Sequence, residues 1–428
     1  MYIDARPEPW SVEGGLKGFP SGLPPMSVEA IGSLGVNVLA QQVSFPTALL
    51  KISALEHNQQ WMKSFLTQTG ALLAPHGKTT MSPELIRLQL DNGAWAITAA
   101  TSQHILAYAD IGVRRILHAN QLVGQENIRS VFSMLANDSS LDFYTLVDSH
   151  AGVEVLRQGL LRTPIGRPLQ VLIELGAEGG RTGLRTVSEA LGLAREIRAD
   201  ALFCLAGVEC FEGIYSGRSE QDDVGAKRLI EGLGATAGAM RAEDLFDTEE
   251  PILSAGGSAY FAMAAGAFNL FPADSFRIVL RSGCYLTHDS HHYRIIHERL
   301  HLADSVESPS GGLRAALEVW GCVQSRPEPR LALIDIGKRD ISYDIDLPVA
   351  LWTCGRSQSA PASAPDGCRV TALNDQHLFL ELPEQAELGV GDLVGFGVSH
   401  PCTTFDKWRA LLLVDDDYIV RGAVHTCF

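Results

Sequence analysis

Short apolar, β-favouring runs recur along the first 300 residues, and most of them are separated by amphipathic segments. Eight runs lie at about residues 71–75, 94–98, 115–119, 141–147, 168–174, 202–209, 251–255 and 276–281. The segments between them, for example 83–90 and 187–197, have the spacing of apolar positions that is typical of helices. Alternating strands and helices build a parallel sheet, and eight such strands can close into a barrel. The pattern predicts an α/β fold with a (β/α)8 TIM barrel, and periodicity alone leaves a doubly wound open sheet as the alternative.

The pattern changes after about residue 300. Helical periodicity fades, and short β-rich runs recur at 331–336, 368–373, 378–382, 393–396 and 410–414. We therefore predict a C-terminal all-β domain over residues 301–428, with the boundary in the Ser, Pro and Gly cluster at 305–312. The barrel domain is predicted over 45–300, where a further strand and helix at about 46–69 precede the first barrel strand. Residues 1–44, rich in Gly and Pro, are predicted to form an irregular N-terminal arm.

Composition excludes several classes of function. The 428 residues carry a formal net charge of −16 without a basic stretch, so nucleic acid is not an expected partner. The longest apolar stretches, such as 259–267, are shorter than the roughly 18 residues of a membrane span. The acidic, proline-containing N-terminus is unlike an export signal, so we expect a cytoplasmic protein without membrane contact. The eight cysteines are scattered without a CxxC pair, and most are expected to be reduced and buried, with Cys402 as the exception.

The first candidate for chemistry is Lys78, which follows the first apolar run in the segment Pro75–Thr80. Catalytic groups of parallel barrels lie at the C-terminal ends of the strands. A lysine that is partly removed from water has a lowered pKa, and its neutral amine can form an imine with an aldehyde. The alternative interpretation of this segment is a surface lysine in a turn.

Glycine-rich segments follow three further runs. Residues 254–258 and 281–285 come after the seventh and eighth runs, where glycines allow close approach of an anion and a helix start supplies free N–H groups. They predict a phosphate site between the last two strands, with ordinary turns as the alternative. The fifth run ends at Glu174, and Arg181 follows among glycines. This arginine is suited to pairing with a ring nitrogen or a carboxylate, although it could equally be a solvated loop charge.

His400 and Cys402 form a candidate metal pair in the C-terminal domain. In an extended chain, residues two apart face the same side, and mixed N and S ligands favour zinc. Two protein ligands do not complete a structural site, so water or substrate would supply the others, as in catalytic sites. A histidine and a cysteine that are unrelated in space are the alternative. Asp375 or His377 could approach the metal as a base, but a turn stabilised by Asn and Asp is the favoured interpretation.

Several of these segments resemble one known enzyme family. They are PHGKTTM (75–81), GAWAITAAT (93–101), GVRRILHANQLVG (112–124), GKRDISYD (337–344) and GDLVGFGVSHPCTTFDKW (391–408). They resemble the D-serine dehydratase and D-threonine aldolase group, and the resemblance runs from about residue 45 to the C-terminus. It implies a barrel of the alanine-racemase type, fold type III, followed by the C-terminal β-domain. It also implies a homodimer.

The resemblance assigns roles to the candidate residues. Lys78 would hold the aldehyde of pyridoxal 5′-phosphate, and Arg181 would approach its pyridine nitrogen, although the preceding loop is longer here than in the aldolases. The residues around the cofactor phosphate would be Gly256, Gly257, Ser258, Gly283 and Tyr285. His400 and Cys402 would bind zinc. In the aldolases the second ligand position usually carries a carboxylate, so the thiol favours the dehydratase side of the group.

The expected function is therefore that of a pyridoxal-phosphate- and zinc-dependent, D-serine dehydratase-like lyase. The Lys78 amine would remove the α-proton of a small D-amino acid, and zinc would assist departure of the β-hydroxyl. The products would be a 2-oxo acid and ammonia. The alternatives are a metal-dependent D-threonine or 3-hydroxyaspartate aldolase and, from another class, a non-catalytic pyridoxal-phosphate-binding protein.

Overall fold

The computed structural model describes residues 10–269, 271–272, 275–302 and 309–428. The described chain forms two compact units, and each is built from separate stretches of sequence. The first unit comprises residues 63–78 and 87–283, and the second comprises 10–62, 79–86 and 284–428. The contiguous domains predicted above divide the chain differently, and their boundaries stay a prediction. Residues 1–9 of the predicted arm and residues 305–308 of the predicted boundary lie outside the described residues.

The elements are numbered in chain order. The strands are β1 (Ser11–Val12), β2 (Met26–Ser27), β3 (Thr47–Lys51), β4 (Leu72–Leu73), β5 (Ile97–Ala99), β6 (Arg115–Gln121), β7 (Asp142–Val147), β8 (Leu169–Leu175), β9 (Phe203–Cys210), β10 (Ile252–Ala255), β11 (Arg277–Leu280), β12 (Leu317–Glu328), β13 (Leu331–Ile334), β14 (Val349–Cys354), β15 (Ala362–Ser363), β16 (Arg369–Leu373), β17 (Leu378–Glu381), β18 (Leu393–Gly397), β19 (Ala410–Val414) and β20 (Val420–His425). The helices are α1 (Ile52–Thr69), α2 (Pro83–Asp91), α3 (Ser102–Asp110), α4 (Gln125–Asn137), α5 (His150–Arg162), α6 (Val187–Arg198), α7 (Glu220–Ala242), α8 (Phe261–Phe268), α9 (His292–Arg299) and α10 (Cys402–Phe405). Short 3₁₀ turns lie at Ala30–Leu34, Gly77–Thr79 and Glu212–Ile214.

The first unit is built around a closed barrel of eight parallel strands. The strands follow one another in the order β4, β11, β10, β9, β8, β7, β6 and β5. The two ends of this row are joined, because Trp95 N donates to Leu73 O over 2.7 Å and Thr98 N donates to Pro75 O over 2.9 Å. The eight strands coincide with the eight predicted runs. The predicted barrel is confirmed, and the open sheet is excluded.

The interior of the barrel is filled with side chains. Those packed there include Ala74, Trp95, Ala96, Leu117, Ala119, Tyr144, Leu146, Leu172, Ala206, Ile252 and Val279. Large and small residues are mixed in this set, as expected for a packed barrel core rather than a pore. Room for chemistry is therefore left at the ends of the strands.

Side-chain caps fix where several barrel helices begin. The hydroxyls of Thr101, Ser149, Thr186 and Ser219 each accept a hydrogen bond from a backbone N–H in the first turn of α3, α5, α6 and α7. At α6 the Glu189 carboxylate also accepts a hydrogen bond from the backbone N–H of Thr186. Among the described residues, no helix is both long enough and apolar enough to cross a bilayer.

The second unit contains the predicted β-rich region. Strands β15, β14, β18, β12, β13, β17 and β16 form a row, and β3 pairs with both β12 and β19. The β3 strand was expected to belong with the barrel, but Leu49 lies beside Glu318 in one neighbour and Leu412 in the other. Leu49 and Leu50 are fully buried, as expected for a strand that is covered on both faces and paired on both edges.

An ion pair within the second unit predicts a pH-dependent stability. His425 Nδ1 donates to Glu84 Oε1 over 2.6 Å. Despite burial, Cys427 and Glu84 raise the pKa of His425 to about 9 from 6.5, and His425 lowers the pKa of Glu84 below 4.5. The histidine contribution is complete below pH 6.5 and is lost as the pH rises through 9; the glutamate contribution is complete above pH 4.5 and is lost on acidification.

We therefore expect His425→Gln to lower the urea midpoint most at pH 5 to 6.5 and hardly at all near pH 10. Unfolding of both proteins, followed by fluorescence at pH 6 and pH 10, measures the difference. An equal loss at the two pH values would show that the ion pair does not contribute.

Candidate functional site

Lys78 lies in the turn that follows the first barrel strand. After β4, His76 pairs with Thr98 of β5, and the 3₁₀ turn Gly77–Thr79 begins. Gly77 is needed here because a Cβ atom would stand 2.5 Å from Tyr108 Oη. Lys78 is exposed, so the partial burial expected from the sequence is not found. The tightly packed side of the turn is occupied by Gly77, which leaves the Lys78 side chain on the open side.

Several positive charges surround His76. Burial is the main cause that holds the pKa of His76 far below its ordinary value, and the charges of Lys78, Arg281, His104 and Arg181 lower it further. His76 is therefore neutral. Its buried Nδ1 has no hydrogen-bond partner among the residues that the structure describes. An unpaired nitrogen beside several cations fits a polar, anionic cofactor bound at this end of the barrel.

The predicted phosphate turn follows β10 and already holds an anionic group. Gly256 has φ +84°, and the N–H groups of Gly256 and Gly257 donate to the Glu212 carboxylate over 3.1 and 2.5 Å. On the neighbouring strand end, Ser282 Oγ lies 3.3 Å from Ser258 Oγ. The turns after β10 and β11 thus meet, as predicted. Glu212 already accepts the N–H groups of Gly256 and Gly257. A cofactor phosphate would therefore depend on the two serines and on other backbone N–H groups nearby, such as that of Gly283.

Glu212 was missed in the sequence, although it comes directly after the sixth predicted run. Burial raises its pKa, and the backbone hydrogen bonds from the two glycines oppose that shift. An acidic residue near the end of a barrel strand was the available signal in the sequence. Its hydrogen-bond partners, Gly256 and Gly257, follow a different strand. Only the closed barrel brings them together.

Two arginines belong to the same end of the barrel. Arg281 is buried, pairs with Glu209 over 2.6 Å and donates to the Cys210 carbonyl. Burial raises the pKa of Glu209 to about 8, and Arg281 opposes this. Arg181, in contrast, is half-exposed, and its Cζ lies 4.5 Å from the centre of the Phe211 ring. The assignment of Arg181 to the ring nitrogen stays a prediction. Arg281, which the sequence placed in the predicted phosphate segment 281–285, is instead paired with Glu209.

The second unit contains the predicted metal pair. The chain leaves β18 at Gly397, and Pro401 has the helical angles φ −57° and ψ −43°, so that Cys402 begins α10. The extended conformation expected at this point is therefore wrong, because the proline starts a helical turn. The side chains of His400 and Cys402 are still close enough for each to shift the pKa of the other.

Asp344 holds the other side of the His400 ring. His400 Nδ1 donates to Asp344 Oδ2 over 2.6 Å, and Thr403 Oγ1 donates to Asp344 Oδ1 over 2.7 Å. Despite burial, Cys402 and Asp344 raise the pKa of His400 to about 9. Hydrogen bonds from Cys284 and His400 hold the pKa of Cys402 well below its usual range. A carboxylate on the far nitrogen is the arrangement that orients a metal-binding histidine.

The donor set fits a soft divalent ion. An imidazole and a thiolate are ligands that zinc accepts. No group of three or more His, Cys, Asp and Glu side chains within the described ranges is arranged to hold a metal ion. A metal on His400 and Cys402 would need additional ligands from water or substrate.

Tyr285, which was predicted to lie near the cofactor phosphate, is buried within the second unit.

The alternative roles of Asp375 and His377 are settled by the hairpin between β16 and β17. Asn374 N donates to His377 O over 2.8 Å, which closes the predicted turn. Asp375 is exposed and lies 3.5 Å from Arg339. The favoured interpretation of this segment as a turn is confirmed.

Asp344→Asn is expected to weaken zinc binding about 10- to 100-fold, because it removes the carboxylate that orients His400. Titration with zinc against a competing chelator measures the affinity. Asp366→Asn, at an exposed position, is the matched control and should bind zinc as wild type does. Unchanged affinity in the Asp344 variant would contradict an orienting role.

Gly256→Ala is expected to destabilise the first unit by about 1–3 kcal/mol, because L-residues are strained at positive φ. The new Cβ would also lie 2.8 Å from Leu280 Cδ2 and 3.1 Å from Phe261 Cα. Gly192→Ala is the control, because α6 leaves open space there and alanine favours the helix. Thermal midpoints and the affinity for pyridoxal phosphate are to be measured. Equal midpoints and equal affinities in the two variants would contradict the expected strain.

Comparison with known proteins finds similar chains whose matched regions include both units. The family model "Putative serine dehydratase domain" matches residues 316–414. The chain is 22% identical over 402 residues to D-threonine aldolase from Arthrobacter sp., covering 92% of this chain and 97% of that protein. It is 24% identical over 311 residues to 3-hydroxy-D-aspartate aldolase from Paracoccus denitrificans, covering 72% and 75%.

Solved structures share the same architecture. D-threonine aldolase from Filomicrobium marinum superposes with a TM-score of 0.74 at 21% identity, covering 92% of this chain and 97% of that one. D-threo-3-hydroxyaspartate dehydratase from Delftia sp. HT23 gives a TM-score of 0.71 at 19% identity, covering 91% and 99%. Over most of its length the chain is therefore similar to D-threonine and 3-hydroxy-D-aspartate aldolases, its C-terminal region matches the serine dehydratase model, and it has the alanine-racemase-type fold of the solved structures.

Proposed function

We propose that this chain is a pyridoxal-phosphate- and zinc-dependent lyase that converts D-amino acids with a β-hydroxyl, such as D-serine, into a 2-oxo acid and ammonia. The observation that carries the proposal is the row formed by Asp344, His400 and Cys402. His400 and Cys402 offer one imidazole nitrogen and one sulfur, and the Asp344 carboxylate orients the imidazole through its hydrogen bond with Nδ1. Such a donor pair suits a soft Lewis acid, which a poor leaving group such as hydroxide requires.

The roles of the residues follow from their chemistry. When bound, pyridoxal phosphate supplies an aldehyde for the substrate amine and a ring that takes up negative charge, and zinc supplies a Lewis acid. Lys78 would hold the aldehyde in the resting enzyme and take the α-proton of the substrate afterwards. Gly256, Gly257, Ser258, Gly283 and Tyr285 would surround the phosphate. Arg181 would face the ring nitrogen, while Arg281 stays paired with Glu209.

A structural neighbour supports the metal assignment. It is named D-threo-3-hydroxyaspartate dehydratase, and two of its solved variants replace a histidine and a cysteine two positions apart by alanine. The cysteine variant is described as the metal-free form. His400 and Cys402 have the same spacing in this chain. This agreement favours dehydration over the other reactions that the barrel can support.

An aldolase is the second candidate, and the sequence matches favour it. The curated relatives reported above are named D-threonine aldolase and 3-hydroxy-D-aspartate aldolase. Such an enzyme would remove the proton of the β-hydroxyl and break the bond between the α- and β-carbons. Its products would be glycine and an aldehyde, so product analysis separates the two candidates.

The deciding experiment incubates the purified protein with D-serine, D-threonine and D-threo-3-hydroxyaspartate, with and without a chelator. Pyruvate and ammonia from D-serine, lost on chelation and restored by zinc, support the proposal. Glycine and an aldehyde from the other two substrates would replace it with the aldolase. The L-enantiomers are the matched controls and should not react. Absence of turnover with all three substrates, despite bound cofactor and metal, would indicate a non-catalytic pyridoxal-phosphate-binding protein.

A homodimer and a cytoplasmic location remain predictions. The homodimer is included in the proposal because the resemblance implies that a partner's β-domain helps to close the active site. Light scattering of the purified protein measures the mass in solution. A mass equal to that of one chain under assay conditions would remove the dimer from the proposal.

A further inference from the structure

Two cysteines of the second unit are in direct contact. Cys284 Sγ lies 3.8 Å from Cys402 Sγ, although the residues are far apart in the chain. Cys284 follows the last barrel strand in sequence, and Cys402 is the first residue of the short helix α10. Neither cysteine is part of a disulfide in the structure. Only Cys402 was expected from the sequence to have a chemical role, and this contact places a second thiol beside it.

The surroundings of the two sulfurs are unequal. Cys284 is only 4% exposed, whereas Cys402 is partly exposed. Thr79 Oγ1 lies 3.5 Å from Cys402 Sγ and 3.8 Å from Cys284 Sγ, so that one hydroxyl touches both. Cys402 is therefore the more exposed of the two residues, and a small oxidant is expected to react with it first.

We propose that Cys284 and Cys402 form an oxidative modification site, at which a hydroperoxide such as hydrogen peroxide converts the two thiols into a reversible disulfide. In the first step the Cys402 sulfur attacks the peroxide, the O–O bond breaks, and a sulfenic acid and one water are formed. In the second step the Cys284 thiol attacks that sulfur, and a second water leaves. Two thiols are oxidised, one peroxide is reduced, and a dithiol reductant reverses the change.

The second step requires little movement, because the two sulfurs are already in contact. A disulfide requires the sulfurs to approach to about 2 Å, so the pair has to close by less than about 2 Å from its present contact. No segment has to unfold to bring the second thiol into place. A neighbouring thiol that traps the sulfenic acid also protects Cys402 from further, irreversible oxidation.

The consequence for the enzyme rests on the proposed function. A disulfide would consume the Cys402 sulfur that the metal pair needs, leaving His400 as the single protein ligand of that pair. Oxidation would therefore release the metal and stop turnover, and reduction would restore both. A bound metal should in turn slow the oxidation, because the same sulfur cannot serve both purposes.

The test treats the full-length protein with stoichiometric hydrogen peroxide, with and without prior removal of metal, and then blocks the remaining thiols. Mass spectrometry should show two unblocked cysteines, and protease digestion should give a peptide that links residues 284 and 402 and disappears after dithiothreitol. In Cys284→Ser, Cys402 should instead be captured by a sulfenic-acid reagent, without the loss of a second thiol. Cys368→Ser is the matched control and should form the link as wild type does.

The outcomes separate this inference from the proposed function. Failure to form the linked peptide in wild type, while other cysteines become oxidised, would overturn the inference without affecting the lyase assay. A linked peptide that forms equally fast with and without zinc would support the modification site and count against the metal role of Cys402. A link between Cys402 and a different cysteine would also overturn the inference.

Discussion

Lys78→Ala is expected to abolish the covalent attachment of pyridoxal phosphate and to lower turnover by about 10⁴-fold. The amine has two roles in the proposed reaction, because it holds the aldehyde of the cofactor and then accepts the α-proton of the substrate. Reduction with borohydride, followed by mass spectrometry of the peptide that contains residue 78, measures the attachment. Steady-state formation of 2-oxo acid or aldehyde measures the turnover.

Lys63→Ala is the matched control for this experiment, because Lys63 is an exposed lysine on α1. It should bind the cofactor and turn over substrate as wild type does. Partial rescue of the Lys78 variant by a small added amine would support the loss of a base. A borohydride-stable adduct that persists after Lys78→Ala, with activity within tenfold of wild type, would show that another lysine holds the cofactor.

Cys402→Ser is expected to have the second largest effect, with loss of stoichiometric zinc and a decrease of about 10³-fold in 2-oxo acid formation. The estimate follows if the Lewis acid is worth several kcal/mol in the transition state. A serine hydroxyl is a poor replacement for a thiolate at a soft metal. Metal content by emission spectroscopy and formation of pyruvate from D-serine are the two measurements.

Pyridoxal phosphate should remain bound in Cys402→Ser, because the candidate cofactor residues other than Tyr285 belong to the first unit. Cys368→Ser is the control and should retain metal and activity. If Cys402→Ser keeps both zinc and pyruvate formation, the proposed metal site is wrong. If it loses zinc but retains full activity, the metal has no role in the reaction.

The barrel could be predicted from the sequence because each of its strands is a local signal. A buried parallel strand is a short apolar run, and a helical segment follows each of the eight barrel strands. The same signal could not show which sheet the strand β3 joins. Its run is as apolar as those of the barrel, and only its pairing with β12 and β19 assigns it to the second unit.

The candidate site was predictable where a motif is continuous in sequence. Lys78 and the glycine turn at 256–257 lie where the strand ends predicted them. Glu212 and Asp344 could not be predicted, because their partners are distant in sequence and meet them only in the folded chain. The extended conformation predicted at His400 was wrong for a local reason. Pro401, which lies between His400 and Cys402, has helical angles where an extended strand was assumed.

The strand β3 also limits how the protein can be shortened. Its two neighbours are contributed by segments around Glu318 and Leu412, which the ribosome makes long after β3 itself. During synthesis both edges of this apolar strand therefore stay unpaired until β12 and β19 have been made. A fragment that begins at residue 301 would lack β3, and it would expose the facing edges of β12 and β19 to pairing with other chains.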